Sequence, residues 1–300
     1  MLFVKHEYVL KSYHLVLRVI FFRDNLLKMQ KMHLFYSVVL LMCLLSEASA
    51  QSNTFGISPG IRFFDYAEYG DDGSFLDGEK GPVLGLGGVF EHHARKDVSV
   101  LIFGDVFAGT VDYDGRLQSG FPLTTDTDEL FYSLGIGVKS PLLLLNSQTN
   151  VFFDLVYQVW ERDILPTSIS TRLFEIYKWW ELSLGVEYFL VEVNDNTLSI
   201  FGRAYQVINP TMQVDLVSDG YGKPTLDLGE HFGGELGFHW MTSYSPRQQI
   251  GFLGTYKFWR FGRSDDMTVI RDDNSAAIVI HEPRSETNNL TLQIIFKSEF

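Results

Sequence analysis

The residues best suited to chemistry in this 300-residue chain lie in two clusters. Asp126-Thr127-Asp128 sets two carboxylates two residues apart, and Glu230-His231, with Asp227 just ahead, sets a carboxylate beside an imidazole. An acid pair facing an acid–histidine pair can activate a water, because one group takes its proton while the others hold it in place. Asp126, Asp128, Glu230 and His231 are therefore the candidate catalytic residues. His231 and His239 share one parity and are candidates for a pH-dependent gate, since imidazole changes charge near neutrality. Asp71-Asp72, Asp126/Asp128, Asp265-Asp266 and Asp272-Asp273 offer oxygen ligands for Ca²⁺ or Mg²⁺. None has EF-hand spacing, and solvated loop acids are the simpler reading, so no metal and no cofactor is assigned. Gly85-Leu86-Gly87-Gly88 is followed by no helix and is not a dinucleotide fingerprint, and no G-x-S-x-G elbow is present.

Charge and cysteine usage exclude several classes. The formal net charge is −13. Residues 51–300 hold 18 Lys/Arg against 34 Asp/Glu, so there is no basic stripe for nucleic acid. The single Cys is Cys43, which leaves residues 51–300 without a disulfide, a thiolate metal site or a Cys nucleophile.

Elements able to position these residues come next. Lys31 and His33 precede the apolar run Leu34 to Leu45, and Ala48-Ser49-Ala50 follows it. This is the pattern of a secretory signal cleaved after Ala50, with residues 1–28 read as a mis-called N-terminal extension. Residues 51–300 then form one domain. No stretch there is long and apolar enough for a transmembrane helix. What recurs is period-2 alternation, as in Leu130, Tyr132, Leu134, Ile136 and Val138 against Glu129, Phe131, Ser133, Gly135, Gly137 and Lys139.

Ten such segments are predicted, near 57–69, 82–92, 98–112, 129–139, 151–161, 177–190, 198–207, 228–241, 249–262 and 289–300. Each has about the 9–11 residues of a tilted membrane strand, or somewhat more. Connections after the even segments have roughly 5, 11, 7 and 7 residues, and those after the odd ones roughly 12, 16, 15, 20 and 26. Strict alternation of short and long connections is the pattern of an all-β, antiparallel up-and-down transmembrane barrel with short periplasmic turns. A soluble sandwich has no reason to sort its loops this way. Counts of eight or twelve strands stay open, because Ala276-Ala277-Ile278-Val279-Ile280 is strand-like and suits a hairpin extension.

In the last segment Leu290, Leu292, Ile294, Phe296, Ser298 and Phe300 fall on one parity and end in a terminal Phe. This resembles the C-terminal strand of Gram-negative outer-membrane β-barrel proteins. The resemblance implies that Phe300 is an assembly signal read by the barrel-assembly machinery. It also implies a place in a Gram-negative outer membrane, with outer-membrane lipid and lipopolysaccharide as surroundings. Some ten-stranded barrels of this kind are omptin proteases, with an Asp pair and an Asp–His pair above the membrane. Here the second site is Glu-His rather than Asp-x-His, which puts that activity in doubt.

Parity also assigns the lumen. Arg62, Glu68, Asp105, Asp154, Gln158, Glu181, Glu187, Arg203, His231, Glu235, His239, Lys257 and Lys297 are predicted to point inward, because a cation on the lipid face costs roughly 2–4 kcal/mol at the midplane. Arg62, Arg203, Lys257 and Lys297 against Asp105, Asp154, Glu181, Glu187 and Glu235 suggest a cross-strand ion-pair network closing a small barrel. The expected role is structural, with long acidic external loops serving surface interaction. A narrow channel for small solutes is the alternative, and an external-loop hydrolase a third.

Overall fold

A computed structural model describes residues 53–95, 98–117, 120–142 and 148–300. The signal-peptide reading of residues 1–50 lies outside the described residues. The strands are β1 (Asn53–Tyr69), β2 (Phe75–Arg95), β3 (Val98–Arg116), β4 (Pro122–Pro141), β5 (Thr149–Ile164), β6 (Leu173–Val193) and β7 (Asn196–Asp215). Beyond these come β8 (Thr225–Asp227), β9 (Phe232–Ser245), β10 (Gln248–Phe261), β11 (Met267–Ile270), β12 (Ala277–Ile280) and β13 (Arg284–Glu299). Each strand of the wall pairs antiparallel with its neighbours in the order β1 to β7, then β9, β10 and β13. Pairing of β13 with β1, as in Ile57 with Phe296, closes a ten-stranded barrel without an edge.

Ten strands is therefore the count. The segment read as a hairpin extension forms β11–β12, a separate two-stranded sheet that does not enter the wall. The short β8 pairs only with the outer end of β7.

The wall carries an exposed apolar belt. It comprises residues 55–63, 82–90, 100–108, 130–138, 151–159, 180–190, 198–208, 232–240, 250–258 and 290–296. Outward positions within it include Leu84, Leu134, Ile136, Phe153, Leu184, Leu236, Leu290 and Ile294, all more than a third exposed. A continuous apolar ring of this kind has no counterpart on a soluble monomer and matches the lipid-facing band of a membrane barrel. Trp180, Tyr256 and Phe258 stand near its outer edge, and Tyr188 and Trp240 near its inner edge, as aromatic girdles do.

Strands run past the belt on the outer side, further than the alternation predicts. The first long connection is in fact a tight turn at 70–74, and the second is shortened because β3 runs to Arg116 and β4 starts at Pro122. In the first, Gly73 takes a φ of 83° and its N–H donates to the Gly70 carbonyl. The discrepancy has a physical source. Outward apolar parity stops at Asp65 and Lys80, where lipid ends, while the hydrogen-bonded ladder continues with charged residues on both faces.

Two glycines show how the lumen is filled. A Cβ at Gly185 would collide with the Phe152 ring, and one at Gly233 with the Tyr205 ring, so both leave room for an aromatic side chain from the adjacent strand.

Candidate functional site

Inside the belt the lumen is polar. Arg62 approaches Asp105 at 3.6 Å, and Arg203 lies between Asp154 and Glu235 at 3.6 Å from each. Lys257 Nζ donates to Glu181 at 2.8 Å, and Gln158 Nε2 donates to the same carboxylate at 3.2 Å. The cations also lie on aromatic faces, with the Arg62 guanidinium 4.0 Å from the Phe107 ring centre and that of Arg203 4.9 Å from Phe152. Glu187 accepts from Ser199 at 2.7 Å, and Lys297 forms no ion pair among the described residues. Near the inner end Lys139 instead pairs with Glu91 at 3.4 Å, a contact the sequence reading did not contain. These groups enclose a chamber of about 340 Å³, lined by Arg62, Lys139, Arg203, Lys257 and Lys297 and by Asp105, Asp154, Glu181, Glu187 and Glu235. Equal numbers of each sign leave it with little net field for either kind of ion.

Above the chamber an aromatic layer crosses the lumen. Trp160 and Tyr177 are both 0% exposed, and their rings stack with centres 4.5 Å apart. Phe131 stacks on the other side of Trp160 at 5.5 Å, Tyr66 meets it edge-on at 5.0 Å, and Phe261 stacks on Tyr177 at 5.9 Å. The indole N–H of Trp160 donates to Glu129. Five buried rings are thus in contact at this level.

Outside the aromatic layer, beyond the lipid belt, Arg162 gathers four carboxylates. Its Nη1 donates to Glu68 and Glu175, each at 2.9 Å, its Nε donates to Glu79 at 2.9 Å, and its Nη2 to Asp77 at 3.4 Å. Arg162, Glu68, Glu79 and Glu175 are all buried. Thr127 Oγ1 also donates to Glu79 at 2.7 Å. Burial, and then the neighbouring Glu79, hold the Glu129 carboxyl well above the ordinary carboxylate range. One cation does not balance this many acids. Burial accordingly pushes the Glu68 carboxyl up to about 8, with Asp77 adding to the effect and Arg162 opposing it. Burial likewise raises Asp77 to about 6 against the pull of Arg162.

This cluster was missed by sequence reasoning. The alternation ends the fifth segment at Glu161, one residue before Arg162, because the outward apolar pattern stops at Val159. The available signal was inward parity itself, which carries on through Trp160 and Arg162 on one strand and through Glu175 and Tyr177 on the next.

The candidate catalytic residues do not share a site. Asp126 and Asp128 sit on β4 with exposed side chains on the outer surface of the wall, where Thr110 donates to Asp128 at 2.6 Å. Glu230 and His231 lie just before β9, four strands further around the ring, where Glu230 accepts from the Asn209 N–H at 3.1 Å. His231 is exposed beside Gly262, whereas His239 faces the chamber inside the belt, so the two histidines form no gate pair. Parity misplaces His231 because the ladder of β9 begins only at Phe232. Phe300 completes the ring: its N–H donates to the Asn53 carbonyl at 2.9 Å, and the Asn53 N–H donates back at 3.0 Å.

No protein-family model matches the chain, and no curated protein matches it in sequence. Among solved structures it is similar to the outer membrane protease OmpT from Escherichia coli, with a TM-score of 0.57 at 9% identity. That alignment covers 84% of this chain and 97% of the protease, and likeness at this identity is one of fold alone. The translocator domain of autotransporter NalP from Neisseria meningitidis aligns at a TM-score of 0.39 and 7% identity over 89% of this chain and 96% of that one. For the outer membrane protein OprG from Pseudomonas aeruginosa the values are 0.37 and 9%, over 83% and 97%. The chain has the fold of an integral outer-membrane β-barrel.

Proposed function

We propose that this outer-membrane barrel is closed and non-conducting, and that its working face is the external surface, in adhesion or recognition. The observation that carries this reading is the aromatic layer at Trp160 and Tyr177, since both rings are fully buried where a solute would have to pass. The ion pairs beneath it serve as filling for a small barrel. Outer-membrane lipid and lipopolysaccharide are then its surroundings, and Phe300 its signal to the assembly machinery. A narrow channel is the second reading, favoured by the polar chamber beneath the aromatic layer. The external hydrolase has only a likeness of fold behind it.

Conductance decides between the first two. In planar bilayers the wild-type barrel is expected to give no discrete current steps. Trp160→Ala combined with Tyr177→Ala, checked for its folded electrophoretic mobility, is expected to introduce them. Resolved steps from the wild type that change on Arg203→Gln would overturn the closed reading and route the current through the lumen.

A further inference from the structure

We propose that residues 262–283 form a proton-latched cap over the outer mouth of the barrel, with Glu282 docked as a neutral acid and released when it ionises. The segment leaves the wall at Phe261, carries the β11–β12 hairpin, and returns at Arg284. Its inner side is apolar: Met267 and Ile280 pack against the buried hydrophobic cluster to which the aromatic layer belongs. Its one carboxyl inserted into the mouth is that of Glu282, 4% exposed, whose Oε1 accepts from the Tyr177 hydroxyl at 2.6 Å. Ser264 fixes the Glu282 backbone from both sides. The Glu282 N–H donates to Ser264 Oγ at 2.8 Å, and the Ser264 N–H donates to the Glu282 carbonyl at 3.0 Å.

Glu282 has no ion-pair partner among the described residues. The groups facing the mouth are Tyr66 and Glu68 from β1, Asp77 and Glu79 from β2, Tyr113 from β3, and Glu129 from β4. Arg162 comes from β5, and Glu175 and Tyr177 from β6. Arg162 is the sole cation within the mouth among the described residues, and four of its five N–H donors go to Glu68, Asp77, Glu79 and Glu175. Other charges of the cap look elsewhere: Arg263 to Asp71 at 3.3 Å and to Asp266, and His281 to Asp266 at 3.4 Å. Arg284, at the start of β13, lies over the Tyr69 ring.

An ionised Glu282 would therefore be a buried, uncompensated charge beside Glu68 and Glu175. Burial first, then those two carboxyls, hold its proton well above the ordinary carboxylate range. Docking is favoured while the proton stays on and disfavoured as pH rises through the docked-state value, because the released side chain ionises freely in water. The remaining ties, the Arg263–Asp71 ion pair, a backbone bond from the Asp272 N–H to the Gly220 carbonyl and the Gly229–Gly262 bridge, lie outside the mouth. Release would exchange an apolar lid for an acidic rim on the external surface.

The cap can be tested by its position, whether or not the barrel conducts. Residues 51–300 contain no Cys. Ser168→Cys and Ser275→Cys, both exposed on different external loops, thus supply two spin-label sites in micelles. A single distance population is expected at about pH 5, with a second, longer one growing by about pH 9. Glu282→Gln, which keeps the shape and cannot ionise, is expected to hold the low-pH distribution throughout. A pH-independent distribution in the parent, or a Gln variant that shifts as the parent does, would overturn the latch. Folded electrophoretic mobility is read at each pH. Its loss in step with the distance change would also overturn the proposal, since the cap would then have no release of its own.

Discussion

Arg162→Met is expected to cost the folded barrel about 3–5 kcal/mol near neutral pH, the range for removing one partner from a buried ion pair. The change keeps most of the side-chain volume but leaves Glu68, Asp77, Glu79 and Glu175 buried without a cation. Its pH dependence identifies the cause. In the wild type, Glu68 is held at about 8 against an ordinary 4.5, so the folded state binds more protons than the unfolded state between those values. Stability contributed by this group is full below about 4.5 and is lost as pH rises toward 8. Asp77 acts in the same direction from 3.8 to about 6. Without Arg162, which lowers both, the raised values move further up. The deficit of the variant should therefore be smallest and level below about 6, where both groups keep their protons with or without Arg162, and widen as pH rises through about 6 and then 8. Urea unfolding of the refolded barrel in micelles at several pH values, read by electrophoretic mobility, measures it. A deficit that is the same at every pH would mean that Arg162 acts through packing against Tyr66 and Tyr113 rather than through its charge.

That cluster also marks where the sequence is legible and where it is not. Parity identifies a membrane barrel because lipid imposes it: Leu182, Leu184 and Val186 must be apolar, while Glu181, Ser183 and Gly185 on the other face are free to be polar or small. Loop lengths give the strand count for the same reason, since up-and-down neighbours need only short turns on one side. Outside the lipid both faces meet water or protein, so Asp163 and Arg162 read alike as loop charges although one pairs with Arg172 on the outer surface and the other is buried in the mouth. Which charge meets which depends on strand stagger around the ring. Arg162 reaches Glu68 across the lumen from a different wall, 94 residues away in the chain, and no local spacing encodes that contact. The same limit applies to Lys297, whose expected place in the ion-pair network depends on a register that leaves Lys139 beside Glu91 instead. The candidate catalytic groups fail to meet for a related reason. Two residues apart on a strand means the same face, and for Asp126 and Asp128 that face is the outer one.

The second large effect concerns the wall itself. Leu184→Arg is expected to cost about 2–4 kcal/mol in lipid vesicles, the range for a cation at the midplane of a membrane barrel. Leu184 is 64% exposed and lies near the middle of the 180–190 belt segment, so nothing in the protein is displaced by the longer side chain. At a water-facing position the same substitution would fall within about 0.5 kcal/mol of neutral. Asp126→Arg supplies that comparison on the same barrel. It is exposed beyond the belt and stands directly opposite Asp112, where a cation replaces a like-charge pair and should be neutral or slightly stabilising. Both variants add one arginine to the outer surface of a strand, and depth is the main difference between them. The gap in unfolding free energy between the two variants is thus a direct reading of what surrounds the apolar ring. Equal costs would mean that Leu184 faces water and that exposed apolar side chains around the barrel have some other partner. A gap of the expected size means that the lipid is that partner, and that the charges collected inside the barrel are there because the outer face has no place for them.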